Sequence, residues 1–299
     1  MLACCFLSER REPLCYFDHL QNITISVIFC KRYIFYLEAA MYTEFIDELI
    51  ARGRFCFTLD DIEKLTSSSP EAIKIALYRL QKKGELIMPY RGFYVILPPE
   101  HRSRGCLPPE QFIPDLMEYL RETYYVGLLS AAEYYGAAHQ RPQVFQVIVA
   151  KSRRPISCGK VRVIFIFRKN AATIPTQPRN TPAGIIKIAT PEATALDLIG
   201  YVKHCAGLDN VATVLTELSE KIDVKRLTEV AELSPIAWVQ RLGYLFELIG
   251  EQEKATVLAD YLMEKHPSPT ALIPMISIKG SKKNNRWQIF VNADVESEV

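Results

Sequence analysis

The sequence predicts an α+β protein with a small N-terminal part and a larger C-terminal part. Residues 41–97 alternate helical periodicity with short apolar strands and end in a hairpin pattern. Residues 98–110 contain four prolines around Gly105, which predicts a stiff linker. Beyond the linker, residues 111–299 combine apolar strands with a long run of helices, which indicates a mixed sheet followed by a C-terminal helical array.

Composition restricts the class of protein. The chain has 299 residues, of which 49% are hydrophobic and 23% charged, as is typical of a globular protein with two folded units. The formal net charge is only +2, so any binding of nucleic acid has to come from how the charges are distributed. The eight cysteines include no CxxC pair, which predicts reduced thiols in a cytoplasmic protein, without a zinc site or a disulfide framework.

The first forty residues differ from the rest. Their one apolar run, residues 23–29, is too short to span a bilayer, so we expect no membrane partner. Residues 1–40 also lack capping boxes and clear periodicity, whereas a well-patterned helix follows directly at Met41. We therefore expect residues 1–40 to be a non-native or poorly ordered leader and Met41 to be the native start.

Residues 41–97 have the element order of a winged helix-turn-helix. The predicted elements are a helix from Met41 to about Gly53, a strand Phe55–Phe57, a helix Leu59–Leu65, a helix from Pro70 to Gly84, and a hairpin of Leu86–Met88 and Phe93–Leu97. Thr58 and Asp61 have the spacing of a capping box before the second helix, and Ser68 and Glu71 have it before the third. These start signals make the second and third helices specific predictions.

The third helix and the hairpin tip are the candidate DNA contacts. In winged domains this helix enters the major groove and the hairpin tip contacts the backbone or the minor groove. From Lys74 to Arg104 there are seven Lys and Arg against two acidic residues, which favours attraction to phosphates. The candidate residues are Ser68, Ser69, Lys74, Tyr78, Arg79, Lys82, Lys83, Tyr90 and Arg91. The alternative is a winged domain used for protein contact, with a merely solvated basic face.

A second basic region lies in the C-terminal part. Between Glu133 and Glu192 there are 58 residues with no Asp or Glu and with ten Lys or Arg. This segregation predicts a surface for a phosphate backbone or RNA. The candidate residues are Lys151, Arg153, Arg154, Arg162, Arg168 and Lys169. The alternative is internal pairing with residues 192–264, which hold thirteen acidic and six basic residues.

The remaining elements of the C-terminal part follow from periodicity. The predicted strands are Val144–Val149, Val161–Phe167 and Ile185–Ile188, and a last strand, Trp287–Val291, is expected to return to the sheet. Predicted helices follow Thr190 and cover Val211–Leu218, Lys225–Leu233, Ile236–Ile249 and Ala255–Glu264.

No motif for catalysis stands out. The sequence contains no GxGxxG, P-loop, HExxH or GxSxG motif, and the five histidines have no metal-ligand spacing. Asp197 and Glu192 are five residues apart on a predicted helix, so their carboxylates point in different directions. We therefore expect a protein that is not an enzyme and that has no cofactor and no metal.

Six short segments together carry a resemblance to a known family. They are Gly84–Leu86, Arg91–Val95, Ser130–Gly136, Thr190–Ile199, Gln240–Leu245 and Arg286–Asn292. In this order, residues 41–299 resemble the AbiEi-type antitoxins of type IV toxin-antitoxin systems. Residues 1–40 have no counterpart in that pattern.

The resemblance implies a function. It implies an antitoxin that binds operator DNA, represses its own operon, and antagonises a nucleotidyltransferase toxin without a stable complex. The oligomeric state is left open, with a monomer that binds DNA cooperatively as one option. In the alternative hypothesis, the winged domain contacts a protein and the basic sheet binds RNA. The protein would then be an adaptor or an RNA-binding protein.

Overall fold

The computed structural model describes residues 41–66, 68–137 and 142–295. The predicted leader, residues 1–40, lies outside the described residues. The chain divides into two compact units, with the division between Arg52 and Gly53. In the first unit, residues 41–51 form helix α1, whose Ile46 and Leu49 are buried. The predicted helix is confirmed, with Ile46 and Leu49 on its buried side and Ile50 exposed.

The second unit opens with the remaining elements of the predicted winged helix-turn-helix. They are β1 (Cys56–Thr58), α2 (Leu59–Glu63), α3 (Pro70–Lys82), β2 (Leu86–Tyr90) and β3 (Phe93–Ile96). The three strands form an antiparallel sheet in the order β1-β3-β2. The predicted order of elements is confirmed, with boundaries that differ by one or two residues.

The start of α3 differs from the prediction by one residue. Ser69 is the N-cap, and its hydroxyl accepts a hydrogen bond of 3.2 Å from the N–H of Ala72. The predicted capping box of Ser68 and Glu71 is therefore wrong, because Pro70 takes the first helical position and the cap must directly precede it. Ser68 instead accepts a hydrogen bond of 2.8 Å from the Thr66 hydroxyl.

Residues 98–110 are structured. They contain a 3₁₀ turn at Pro99–His101 and the start of another at Pro109–Gln111. Cys106 and Leu107 between them are fully buried, in a core that also contains Phe93 of β3. A domain boundary in this segment stays a prediction, but the segment itself contributes apolar side chains to the core.

A six-stranded mixed sheet forms the centre of the C-terminal part. Its strands are β4 (Tyr124–Val126), β5 (Phe145–Val149), β6 (Ile156–Cys158), β7 (Val161–Phe167), β8 (Thr176–Thr181) and β9 (Gly184–Ala189), in the order β6-β7-β5-β4-β9-β8. The pairs β5–β7 and β4–β9 are parallel and the other three are antiparallel. The mixed sheet and its three predicted strands are confirmed.

Helices surround the sheet and follow it. They are α4 (Ile113–Tyr119), α5 (Leu128–Tyr134), α6 (Pro191–Gly200), α7 (Leu208–Leu218), α8 (Val224–Glu232), α9 (Ile236–Leu248) and α10 (Gln252–Lys265). Thr190 caps α6 by accepting a hydrogen bond of 3.3 Å from the N–H of Ala193. Every residue of α6 from Pro191 to Ile199 is buried, including Glu192 and Asp197. The predicted C-terminal helical array is confirmed, with α6 at its centre.

The last strand does not join the large sheet. Strand β12 (Ile289–Val291) pairs with β10 (Thr270–Ala271) and β11 (Lys282–Asn284) in a separate three-stranded sheet. The prediction that Trp287–Val291 returns to the large sheet is therefore wrong. The fully buried Trp287 packs instead on α9, where a methyl group at Gly243 would overlap its ring. Gln240 of α9 also donates a hydrogen bond of 3.0 Å to the carbonyl of Trp287.

Candidate nucleic-acid interface

Helix α3 separates its apolar and polar residues as the periodicity predicts. Ile73, Leu77 and Leu80 are buried on one side. Lys74, Tyr78 and Lys82 are exposed and spaced four residues apart, so they form one stripe with steps of about 6 Å along the helix. We call these three residues the recognition stripe. Arg79 and Lys83 are exposed beside it.

A cation–π contact orders the end of the recognition stripe. The ammonium nitrogen of Lys82 lies 5.4 Å from the centre of the Tyr78 ring. This position places a positive charge and an aromatic ring on the same exposed patch. Such a patch can reach both a phosphate and a base edge.

The predicted contacts before α3 are placed less favourably. Ser69 is exposed, but its hydroxyl is held by the capping hydrogen bond, which uses one of its two acceptor lone pairs. Ser68 is partly buried beside Thr66. Pro70 has no N–H at the first helical position, so the start of α3 offers one fewer backbone donor to a phosphate.

Residues Pro89–Gly92 comprise the end of β2 and the turn that leads to β3, and we call them the wing tip. Tyr90 and Arg91 are exposed there. The Gly92 carbonyl accepts a hydrogen bond of 3.0 Å from the N–H of Leu59, and the Arg91 carbonyl accepts one of 3.3 Å from the hydroxyl of Tyr119. The wing tip is therefore held by α2 on one side and by the end of α4 on the other.

The Tyr119 side chain contacts the wing tip through its ring as well. Its ring centre lies 6.5 Å from that of Tyr90, in an edge-on arrangement, and 5.8 Å from that of Phe93. Gly92 has a φ of +76°, and a Cβ atom there would lie 2.8 Å from the Tyr119 hydroxyl oxygen. Glycine therefore satisfies both the left-handed backbone and the close approach of Tyr119.

A second basic segment lies next to the wing tip. Residues Lys151–Arg154, between β5 and β6, are called the basic loop here. Tyr90 and Arg91 of the wing tip line a cavity of about 520 Å³ together with Arg153 and Arg154 of the basic loop. The structure thus brings Arg91 close to two cations that lie more than 60 residues later in the chain.

Glu122 fixes the position of the basic loop. One of its carboxylate oxygens accepts a hydrogen bond of 2.8 Å from the N–H of Lys151. The other oxygen pairs with the guanidinium of Arg153. The charge of Arg153 is therefore partly neutralised within the protein, whereas Lys151 and Arg154 are exposed and form no ion pair within the described residues.

Two further candidates lie on or beside β7. Arg162 on this strand and Lys169 shortly after it are both exposed, and the described residues contain no ion-pair partner for either. Arg162 lines a cavity of about 490 Å³ together with Arg104 and Lys160, two cations that the sequence analysis did not single out. Arg104 and Lys160 are far apart in the chain, so only the folded structure shows that they line the same cavity.

Arg168 was predicted to lie on the polyanion surface, and this prediction is wrong. Its side chain is 3% exposed and forms an ion pair with the fully buried Asp197 of α6. Its guanidinium also donates a hydrogen bond of 3.1 Å to the Ser234 hydroxyl and lies 5.2 Å from the centre of the Trp238 ring. Arg168 therefore joins the end of β7 to the helical array, as the alternative of internal pairing proposed.

The buried pair has a third member. The Tyr125 hydroxyl donates a hydrogen bond of 2.9 Å to the second carboxylate oxygen of Asp197. Burial raises the pKa of Asp197 to about 6, and the charge of Arg168 and the hydrogen bonds from Tyr125 and Arg168 offset part of this rise. Asp197 is the carboxylate that the sequence analysis weighed only against Glu192, and its structural partner lies 29 residues earlier in the chain.

Two kinds of feature are absent from the described part of the chain. Residues 41–66, 68–137 and 142–295 contain no group of three or more His, Cys, Asp or Glu side chains arranged to hold a metal ion. Among the same residues, none of the helices combines the length and the apolar character that crossing a bilayer requires.

Comparison with protein families identifies both parts of the chain. Residues 125–248 match the AbiEi antitoxin C-terminal domain, and residues 44–96 match the transcriptional regulator, AbiEi antitoxin. Together the two matches cover more than half of the chain. The chain belongs to the AbiEi antitoxin family. It is therefore an antitoxin with a regulatory role, as the resemblance of the six segments predicts.

A solved structure supports the fold of this AbiEi-family chain. This chain is similar to the solved structure of the RV2827C protein from Mycobacterium tuberculosis, with a TM-score of 0.60 and 18% sequence identity. The similarity covers 83% of this chain and 89% of that one. At this identity the similarity supports the α+β architecture alone. No curated protein matches the sequence.

The contact between Tyr119 and the wing tip leads to a first prediction for this AbiEi-family chain. Tyr119→Ala removes the hydrogen bond and both ring contacts, so we expect about a tenfold loss of DNA affinity through a less ordered wing tip. The dependence of affinity on salt should stay unchanged, because no cation is lost. Tyr119→Phe keeps both ring contacts and serves as the matched control. A lower salt slope in Tyr119→Ala would contradict a positioning role.

Proposed function

We propose that this antitoxin binds operator DNA and represses its own operon, and that it antagonises a nucleotidyltransferase toxin without a stable complex. The observation that carries the DNA-binding part is the exposed recognition stripe on α3, together with the exposed Arg91 of the wing tip. The family of residues 44–96 is a transcriptional regulator, which supports the same conclusion.

The side chains on α3 can contact different parts of a DNA duplex. The major groove is wide enough for one α-helix, and α3 offers it an exposed side with Lys74, Tyr78 and Lys82. The cations contact phosphates and set the register, while Tyr78 lies between them to contact base edges. Arg79 and Lys83 beside the stripe contact the flanking backbone.

The wing tip and the basic loop extend this contact. Arg91 and Arg154 are exposed at one cavity, so one stretch of backbone can contact both of them. Glu122 and Tyr119 hold the two segments from within, which reduces the entropy lost on binding. Lys151, Arg162 and Lys169 supply further positive charge from the C-terminal part.

The toxin part of the proposal has a different basis. It rests on membership of the AbiEi antitoxin family and on the resemblance to type IV systems, in which the antitoxin opposes the effect of the toxin. This part would be supported by a neighbouring gene that encodes a toxic nucleotidyltransferase, provided that co-expression of this chain relieves the toxicity. Co-purification of the two proteins in a stable complex would contradict it.

Binding to its own upstream DNA tests the proposed regulation. The full-length chain should bind a duplex from the region upstream of its operon at least about 10³-fold more tightly than a random duplex of equal length. The logarithm of both binding constants should fall linearly with the logarithm of the salt concentration. Fluorescence anisotropy at four salt concentrations measures both quantities.

Equal and steeply salt-dependent binding to both duplexes would overturn the proposed repression. That result would leave a surface for polyanions without sequence preference. The alternative of an RNA-binding protein or adaptor would then be the better account, and the same titration with structured RNA would test it.

A further inference from the structure

Two cysteines that are 52 residues apart in the chain lie in contact. Cys106, in the segment after the wing, is fully buried, and Cys158, at the end of β6, is partly exposed. The two side chains lie close enough for hydrogen bonding between their sulfurs to influence the pKa of both thiols. Neither cysteine is in a disulfide.

Backbone contacts between neighbouring residues hold the two cysteines close together. The N–H of Lys160 donates a hydrogen bond of 2.9 Å to the carbonyl of Arg104. A Cβ atom on Gly105 would lie 3.1 Å from the Cα atom of Gly159, and both glycines have positive φ angles. Two glycine turns therefore pack on each other at the residues next to Cys106 and Cys158, which fixes the backbones of the two cysteines close together.

The surroundings differentiate the two sulfurs. The hydrogen bond from Cys106 lowers the pKa of the Cys158 thiol, whereas the same hydrogen bond and burial raise the pKa of the Cys106 thiol. Arg104 and Lys160 each lie two residues from one of the cysteines and are exposed. A partly exposed cysteine with a lowered thiol pKa is the environment in which protein thiolates react.

The other described cysteines lack these features. Cys56 and Cys205 are both buried, and burial raises the pKa of each thiol. They are therefore internal references for an unreactive thiol in the same molecule.

We propose that Cys158 and Cys106 form an oxidation-sensitive pair that a hydroperoxide converts into an intramolecular disulfide. The Cys158 thiolate attacks one peroxide oxygen, the O–O bond breaks, and hydroxide or an alkoxide leaves and takes a proton from water, which oxidises Cys158 to a sulfenic acid. Cys106 then attacks the Cys158 sulfur as it loses its proton, the S–O bond breaks, and water leaves. The two sulfurs supply the two electrons that reduce the peroxide.

The product would be a cross-link between two parts of the fold. It would join the segment after the wing to the hairpin of β6 and β7, next to the cavity that Arg104, Lys160 and Arg162 line. Disulfides in cytoplasmic proteins are commonly transient and redox-sensing, which fits a pair that is reduced at rest. This proposal does not depend on the proposed binding of DNA.

Peptide mapping of the full-length protein tests the proposal. The protein is treated with hydrogen peroxide, its remaining thiols are alkylated under denaturing conditions, and it is digested with trypsin without reduction. Peptides of residues 105–121 and 154–160 should appear joined, with the loss of two hydrogens, and should separate on reduction. Cys56 and Cys205 should be recovered alkylated.

Two variants separate the steps. In Cys106→Ala the sulfenic acid at Cys158 has no thiol to resolve it, so we expect dimedone labelling at Cys158 at least about tenfold above that at Cys205. In Cys158→Ser the cross-link should disappear, and Cys106 should stay reduced. Circular dichroism spectra equal to that of the parent protein establish that both variants fold.

Three results would overturn the proposal. The first is a parent protein without the joined peptides after treatment with peroxide. The second is oxidation of Cys158 no faster than that of Cys205. The third is a disulfide from Cys158 to any cysteine other than Cys106, including the four in residues 1–40.

Discussion

Replacing Lys74, Lys82 and Arg91 together by alanine is expected to lower the affinity for the upstream duplex by about 10²–10³-fold near 0.1 M salt. Each phosphate contact contributes about 0.9 to the slope of log K against log salt, so three lost contacts should reduce the slope by about 2.7. All three side chains are exposed, so the free energy of unfolding should stay within about 0.5 kcal/mol per substitution of that of the parent protein. Anisotropy titrations at several salt concentrations measure both effects.

A second triple variant controls for net charge. Lys221, Lys225 and Arg226 are exposed in or just before α8, in the acidic helical array, and their replacement by alanine removes the same formal charge. We expect this variant to bind the upstream duplex within about threefold of the parent protein, because long-range interactions between exposed charges are screened. Equal losses in the two triple variants would show that total charge, and not the recognition stripe with the wing tip, determines the affinity.

The neutral member of the stripe has a different expected effect. Tyr78→Ala removes a ring without a charge, so it should change which base substitutions in the upstream duplex weaken binding and leave the salt slope unchanged. An equal loss on every sequence would contradict contact of Tyr78 with base edges.

Arg168→Ala is expected to lower the free energy of unfolding by about 3–5 kcal/mol, because it leaves the carboxylate of Asp197 buried without a counter-charge. Urea unfolding at neutral pH measures the change. Arg162→Ala is the matched control, since Arg162 lies on the same strand region but is exposed, and its loss should change stability by less than about 0.5 kcal/mol. The double variant Arg168→Met with Asp197→Leu should recover most of the lost stability, because no buried charge remains.

The deficit of Arg168→Ala should depend on pH in a definite direction. Burial raises the pKa of Asp197 to about 6 in the folded protein, above its unfolded value, so the stability that its neutral form contributes is lost as the pH rises through this range. Without Arg168 the pKa of Asp197 rises further. The variant therefore continues to lose stability at pH values at which the parent protein no longer does. The difference between the two proteins should therefore be smallest near pH 5 and larger above pH 7.

Stability also decides between the two roles considered for Arg168. An Arg168→Ala variant that unfolds like the parent protein but binds DNA with a reduced salt slope would restore the surface role and contradict the buried pair.

The sequence by itself determined the elements and their exposed sides. Periodicity of 3.6 identified the buried residues Ile73, Leu77 and Leu80 of α3, and therefore also its exposed stripe. Pro70 and the serines before it located the helix start to within one residue. These features depend on sterics and hydrogen bonds among residues close in the chain, so local sequence is sufficient to predict them.

The tertiary structure alone decided which distant residues meet. The acid-free run of 58 residues predicted a basic surface, but counting charges could not tell that Arg168 meets Asp197 while Arg162 stays exposed. No motif of the sequence includes Tyr119, yet its hydroxyl contacts the wing tip. The sequence pattern correctly predicted a strand after Trp287, but the predicted pairing of that strand with the large sheet was wrong. A pattern of apolar residues does not specify which sheet a strand joins. Such contacts depend on how strands and helices cross over in space, and the local periodicity of the chain carries no information about that order.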